Sequence, residues 1–132
     1  EMTPEQKLKL AILNLAAEWD TVELPTPVTA DNVDDVYEQL DADGDLQDAR
    51  EEIRCGEVRT DAKDPTPYMR GLSDHESESV AMQIDGSWVG WTHWYGGGKH
   101  AEPSAISWME YAYDLTCEEK QVTVTQRTFT KV

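Results

Sequence analysis

Residues 86–113 read GSWVGWTHWYGGGKHAEPSAISWMEYAY and hold four of the five tryptophans of this 132-residue chain. Just before them, Val80, Met82 and Ile84 alternate with smaller or polar residues, which is the period of a strand with one buried face. Asp-Gly then joins this run to 87–95, and that dipeptide is a strong signal for a two-residue hairpin turn. The stretch therefore predicts a β-hairpin, around which we expect the rest of the chain to be organised.

The two-residue turn also predicts the register of the hairpin. It places Val80 opposite Trp91 on an apolar face, and Glu78 opposite His93 at the polar far end of that face. On the other face Gly90 has no side chain, which allows a bulky group to lie close over the sheet.

Three helices are predicted ahead of the hairpin. Thr3 and Gln6 have the spacing of a capping box with a proline between them, and apolar residues then recur at helical spacing as far as Trp19. Apolar stripes of the same period predict two further helices, over 33–40 and 46–55.

The chain after the hairpin is predicted to add one helix and one strand. Pro103 and an apolar period of 3.6 predict a helix over 103–115, and the Val- and Thr-rich run 121–132 predicts an edge strand. We interpret 56–74 as a long loop with one strand near Val58. The expected order is α-α-α-β-β-α-β, an α+β fold with N-terminal helices packed on a small antiparallel sheet.

We treat the 132 residues as one domain, with an acidic helical part over 3–56 and a part containing the sheet over 78–132. A chain of this size buries about two-thirds of its unfolded surface, so it can fold without disulfides. Cys55 and Cys117 lie far apart and outside any CxxC motif. We expect both to be free thiols in a reducing compartment.

The charge of the chain is unusual. It carries 27 Asp and Glu against 11 Lys and Arg, a net charge of −16. Such a charge repels nucleic acid and anionic membranes, so we expect neither as a direct partner, and it favours a basic protein. No apolar run approaches the length of a membrane span.

Ten of the carboxylates are concentrated in residues 31–52, where Arg50 is the only cation. Because like charges at this density attract a surface of opposite sign, we predict that they bind the partner. The predicted partner-binding residues are Asp31, Asp34, Asp35, Glu38, Asp41, Asp43, Asp45, Asp48, Glu51 and Glu52.

Part of this acidic run has the spacing of an EF-hand calcium loop. Asp41, Asp43 and Gly44 fall at its third, fifth and sixth positions, but Gln39 stands at the first position and Arg50 at the last. The last position requires a bidentate carboxylate, and an arginine there repels the cation. We therefore interpret the run as an acidic turn between helices.

The glycine-rich run 95–100, YGGGKH, suggests an anion site, because consecutive backbone amides, a lysine and a helix start can surround an anion. It is not a Walker A loop, since His93 replaces the upstream glycine and His100 stands where Ser or Thr belongs. We keep a ligand site here as an alternative. Its residues would be Trp91, His93, Gly97, Gly98, Lys99, His100 and Glu102.

The three histidines and the carboxylates near them raise the question of a metal. The residues concerned are His75, His93, His100, Asp74, Glu76, Glu78 and Glu102. His100 and Glu102 have the H-x-E spacing of zinc deaminases, but the P-C-x-x-C half of that motif is missing. Glu78 and His93 are equally well explained as a cross-strand hydrogen-bonded pair. We expect no metal and no cofactor. Most of the aromatic rings should lie in the core, and an exposed ring beside the acidic helices would mark a partner site.

In GSWVGWTHWYGGGKHAEPSAISWMEYAYDL and in the acidic segment NVDDVYEQLDADGDLQDA, the chain resembles a family of small, mostly uncharacterised phage and prophage proteins. The resemblance is weakest over 63–74. It implies a bacterial cytoplasm during infection or lysogeny, and it assigns no catalytic residue. Small phage accessory proteins often bind and disable host enzymes, and several of the acidic ones imitate DNA.

These observations favour a non-enzymatic inhibitor whose carboxylates stand in for phosphates in the basic groove of a host nucleic-acid-handling or defence protein. The alternative is a protein that binds a small ligand or nucleotide, or an enzyme, centred on residues 91–102. A structural role in the virion is a third class that no residue specifically supports.

Overall fold

The computed structural model describes residues 1–60, 76–97 and 102–132. Three helices are followed by a four-stranded antiparallel sheet, so the α+β class with N-terminal helices is confirmed. The helices are α1 (Pro4–Glu18), α2 (Val33–Ala42) and α3 (Gln47–Arg54). The strands are β1 (Val58–Arg59), β2 (Glu76–Ile84), β3 (Ser87–Tyr95) and β4 (Tyr113–Leu115), with 3₁₀ turns at Pro103–Ala105 and Met109–Tyr111.

Helix α1 begins with the predicted capping box. The Gln6 amide donates to the Thr3 hydroxyl at 3.2 Å, and the Thr3 amide donates to the Gln6 side-chain oxygen at 3.0 Å. The apolar stripe of α1 buries Leu8, Ile12 and Ala16, and α2 and α3 both pack against this helix. Burial of this stripe, more than helix propensity, fixes α1 in place.

The hairpin has the predicted register. Val80 pairs with Trp91 and Glu78 pairs with His93. In the turn Asp85 and Gly86 both have positive φ, 52° and 83°, as a type I′ turn requires. This turn matches the twist of the strands, and it therefore locks the pairing along the full length of β2 and β3.

The sheet has the order β1-β2-β3-β4, and one of its faces packs on the helices. Val80, Ile84, Val89 and Trp91 lie on that face and join the buried core. Trp91 is fully buried, and its ring contacts that of Trp108 with centroids 5.6 Å apart. The short strand β1 confirms the strand predicted near Val58.

The helix predicted over 103–115 is wrong. Two 3₁₀ turns and β4 take its place, and β4 pairs with β3 through Gly90 and Tyr113. A Cβ at Gly90 would lie only 2.7 Å from Leu115 and 2.8 Å from Tyr113, so glycine lets β4 approach the sheet closely. Burial of Trp108 against the core and the added strand override the helical period.

The strand predicted over 121–132 is also absent from the structure. Residues 116–132 have no secondary structure, and all of them are exposed. A strand needs a neighbouring strand to receive its backbone hydrogen bonds, and no described strand lies beside this segment. The observed order is therefore α-α-α-β-β-β-β, with the 3₁₀ turns between β3 and β4.

Candidate functional site

Eight of the ten predicted partner-binding carboxylates are exposed, and Asp41 and Glu51 are half-buried. Three of the ten form ion pairs. Asp34 pairs with Lys9 at 2.9 Å, Asp41 with Arg50 at 2.6 Å, and Glu51 with Arg54 at 3.1 Å.

The other seven carboxylates of this run form no ion pair with any residue in the described part of the chain. We call them the free carboxylates, and they carry the uncompensated charge of the site. They are Asp31, Asp35, Glu38, Asp43, Asp45, Asp48 and Glu52.

The fold places two of the free carboxylates on each of the helices α2 and α3, Asp43 and Asp45 in the connection, and Asp31 just before α2. Asp35 and Glu38 lie on α2 away from its buried residues, and Asp48 and Glu52 are exposed on α3. Asp35 and Asp48 also sit in the first turns of their helices, where the helix dipole favours a negative charge. This placement gives those two residues a structural benefit in addition to any role in binding.

Lys9 is the cation that ties α1 to the acidic α2. Its ammonium contacts Asp34 at 2.9 Å and Glu5 at 3.3 Å, and lies 5.5 Å from the centre of the Tyr37 ring. Burial lowers the pKa of Lys9, but the hydrogen bonds to Asp34 and Glu5 outweigh it and the net pKa is raised. Hydrogen bonds from Lys9 and then Gln6 lower the pKa of Asp34, which therefore stays ionised.

Arg50 joins α3 to α2. Its guanidinium donates to the Tyr37 hydroxyl at 3.0 Å and to Asp41 at 2.6 Å. Burial raises the pKa of Tyr37 despite the hydrogen bond from Arg50, so the phenol stays neutral. Gln39 and Asp41 are part of α2 and Arg50 of α3, so this run does not have the form of an EF-hand loop.

Trp19 lies beside the acidic run. The sequence placed it on the buried stripe of α1, but its side chain follows the last turn of the helix and is 47% exposed. With Asp45 and Asp48 it lines a groove of about 170 Å³. An exposed tryptophan bordered by free carboxylates is a typical anchor for a protein partner.

Two further grooves lie along α1, beside the residues that precede β4. One groove of about 380 Å³ includes Tyr37 and Trp108 in its lining, and an adjoining one of about 350 Å³ reaches Asp34. Glu5 and Glu110 line both grooves. Glu5 and Glu110 extend the acidic surface beyond residues 31–52. The sequence alone did not predict this extension, because the two residues lie far apart along the chain.

The alternative ligand site is only partly described. Trp91 is buried, and its indole nitrogen donates to the Arg54 carbonyl at 2.9 Å, so its role is structural. Gly97 has a φ of 92°, as a left-handed turn requires, and Glu102 is exposed. The remaining predicted residues, Gly98, Lys99 and His100, lie outside the described residues.

Near this site the sheet brings together a histidine, a carboxylate and an arginine. His93 Nδ1 lies 3.3 Å from Glu78, and Arg59 contacts the same carboxylate at 2.8 Å. The pairing of His93 with Glu78 confirms the predicted cross-strand contact. Arg59 was missed, although its position opposite Val80 is diagonal to Glu78 on the same face.

Within the described ranges, no group of three His, Cys, Asp or Glu residues is arranged to hold a metal ion. His75, His100 and Asp74, which belong to the metal hypothesis, fall outside those ranges. Cys55 and Cys117 are both free and exposed, as predicted.

The chain matches no protein-family model, no curated protein and no solved structure. In the described part of the chain, no helix combines the length and the apolar character needed to cross a bilayer. The function must therefore be argued from the charges and contacts of the molecule itself.

Proposed function

We propose that the protein is a phage-encoded accessory protein that binds a basic surface of a host protein. The partner would handle nucleic acid or act in defence, and the acidic surface would occupy its groove in place of DNA. The observation that carries this proposal is the set of seven free carboxylates, which lie just before α2, on α2 and α3, and in the turn between them.

The spacing of these charges can be compared with that of nucleic acid. An α-helix rises ~1.5 Å per residue, so the ten residues of α2 and the eight of α3 together span about 27 Å. Four of the free carboxylates lie on that length, which corresponds to one per about 7 Å, and one strand of DNA carries one charge per ~3.4 Å. The two helices therefore carry about half the charge density of a single strand, and Asp31, Asp43 and Asp45 add charge before α2 and in the turn.

The surroundings of the charges also favour a protein partner. The free carboxylates are all exposed, so they attract a basic surface over a distance of about one Debye length, ~8 Å at physiological salt. Trp19, exposed beside Asp45 and Asp48, supplies the apolar contact that a purely electrostatic surface lacks.

The test compares two variants with equal loss of charge. The first replaces four free carboxylates by amides, Asp35→Asn, Glu38→Gln, Asp48→Asn and Glu52→Gln. The control replaces four exposed carboxylates outside residues 31–52, Glu18→Gln, Glu23→Gln, Glu118→Gln and Glu119→Gln. Each protein is used to capture partners from host extract, and affinity for a captured partner is measured over a range of NaCl concentrations.

We expect the first variant to bind about tenfold or more weakly, because it loses charge at the interface, and the control to bind like the original chain. The affinity of the original chain should fall as salt rises, and double-stranded DNA should compete with it. Equal binding by both variants, or an affinity independent of salt, would contradict the proposal.

A second candidate function is the binding of a small ligand or nucleotide, and it is favoured by the two side chains Arg59 and His93 that Glu78 holds near each other on the sheet. Glu78 can hold the proton of His93 on Nδ1 and leave Nε2 free to accept or donate one. Thermal shift with nucleotides and inorganic phosphate tests this. A rise in melting temperature that His93→Ala abolishes would support it, and no shift with any of them would exclude it.

A further inference from the structure

Residues 116–132, which follow β4, expose apolar side chains that the rest of the molecule would bury. Val122 is 76% exposed, Val124 is 77% exposed and Phe129 is 89% exposed. Among the described residues outside this segment, no large apolar side chain is more than half exposed. Exposed apolar side chains that are grouped together often mark a surface that contacts a partner.

The composition of the segment is that of a β-strand. In QVTVTQRTFTKV, residues 121–132, eight of the twelve residues are Val, Thr or Phe, and there is no Gly or Pro. These residue types favour the extended backbone of a sheet. The conformation preferred by this sequence therefore requires a neighbouring strand, which the described part of the chain does not supply.

The charge of the segment is opposite to that of the rest of the chain. Residues 121–132 contain Arg127 and Lys131 and no Asp or Glu. The preceding residues hold all 27 Asp and Glu but only nine of the Lys and Arg. A copy of this chain is therefore an acidic body with a basic strand-forming segment, and each copy carries the surface that the other attracts.

The sheet offers an edge to such a strand. Strand β4 is the last in the sheet, and no described strand lies on its outer side. A groove of about 170 Å³ crosses the face of the sheet that is turned away from the helices, from β1 to β4, and its lining includes Ala81, Trp88 and Leu115. A twelve-residue strand spans about 40 Å and the three-residue β4 about 10 Å, so the segment is long enough to cover this edge.

We infer that residues 121–132 add as a β-strand to the outer edge of β4 in a second copy of this chain. Main-chain hydrogen bonds would give the contact its strength, and the apolar side chains would be buried beside Leu115. Reciprocal exchange between two copies closes the assembly as a dimer, because each chain both gives and receives one strand.

The experiment uses the full chain and two proline variants. Val124→Pro removes a backbone N–H and fixes φ inside the proposed strand, and Glu119→Pro makes the same change in the exposed connection before it. Sedimentation equilibrium over a hundredfold range of concentration measures self-association. Hydrogen exchange measures protection of the amides of 121–132 at the two ends of that range.

We expect a dimer whose dissociation constant rises about tenfold or more in Val124→Pro, since a central strand residue is lost, and is unchanged in Glu119→Pro. Protection of 121–132 should increase with concentration, and high salt should weaken the dimer. A chain that stays monomeric throughout overturns the inference. So does a segment protected equally at all concentrations, which means pairing within one chain, or a dimer that Val124→Pro does not weaken.

Discussion

At the scale of single residues, the arginines show how position decides the role of a charge. Arg54 is 9% exposed and donates from Nη1 to the Trp94 carbonyl at 2.9 Å, which joins α3 to β3. Its own carbonyl accepts the indole N–H of Trp91. Arg59, five residues on, is largely exposed and contacts only Glu78 among the ion pairs described. Nothing in the local sequence separates these two residues.

Replacement of Arg54 by methionine should destabilise the fold. The variant keeps the aliphatic stem and the backbone carbonyl, but it leaves the Trp94 carbonyl without its donor, which costs about 1–3 kcal/mol in the free energy of unfolding. Arg59→Met, the matched control, removes an exposed ion pair and should cost less than about 1 kcal/mol. Urea denaturation of both variants checks this, and equal losses would mean that Arg54 does not hold α3 to the sheet.

At the scale of secondary structure, local signals were reliable where the partner of each residue is close in sequence. The capping box of α1 and the register of the β2–β3 hairpin needed only neighbours a few residues away, and both are confirmed. The helix predicted over 103–115 does not form, because residues far away in the sequence decide the conformation of this segment. Trp108 is buried against Trp91, and β4 pairs with β3 across Gly90.

The acidic run likewise depends on contacts between residues that are far apart in the sequence. The helices that carry it could be predicted from their apolar stripes, but the division between paired and free carboxylates could not. Lys9 lies far from Asp34 in the sequence, and it reaches that residue only because α1 packs against α2. The exposure of Trp19 likewise depends on α1 ending before its ring reaches the core.

At the scale of the whole molecule, the net charge of −16 acts against folding, because the carboxylates repel one another when the chain is compact. Added NaCl screens this repulsion, since the Debye length falls to ~3 Å at 1 M. The melting temperature should therefore rise by several degrees between about 0.05 M and 0.5 M NaCl. Differential scanning calorimetry at constant pH measures it.

The variant in which Asp35, Glu38, Asp48 and Glu52 are replaced by amides is the control for this effect of salt on the melting temperature. It should start from a higher melting temperature at low salt and gain less from added salt, because the repulsion has already been reduced. A melting temperature that falls with salt in the original chain would mean that its ion pairs, such as those of Lys9, outweigh the repulsion.

The sequence by itself determined the α+β class, the three helices, the central hairpin and the concentration of carboxylates in residues 31–52. These follow from periodicity, turn chemistry and composition, which act over a few residues. Only the tertiary structure decided which carboxylates have cations, how Arg59, Glu78 and His93 meet, and that none of the described strands lies beside 121–132. Those outcomes depend on which distant elements pack together, and an ion pair or a strand forms only where packing supplies its other half.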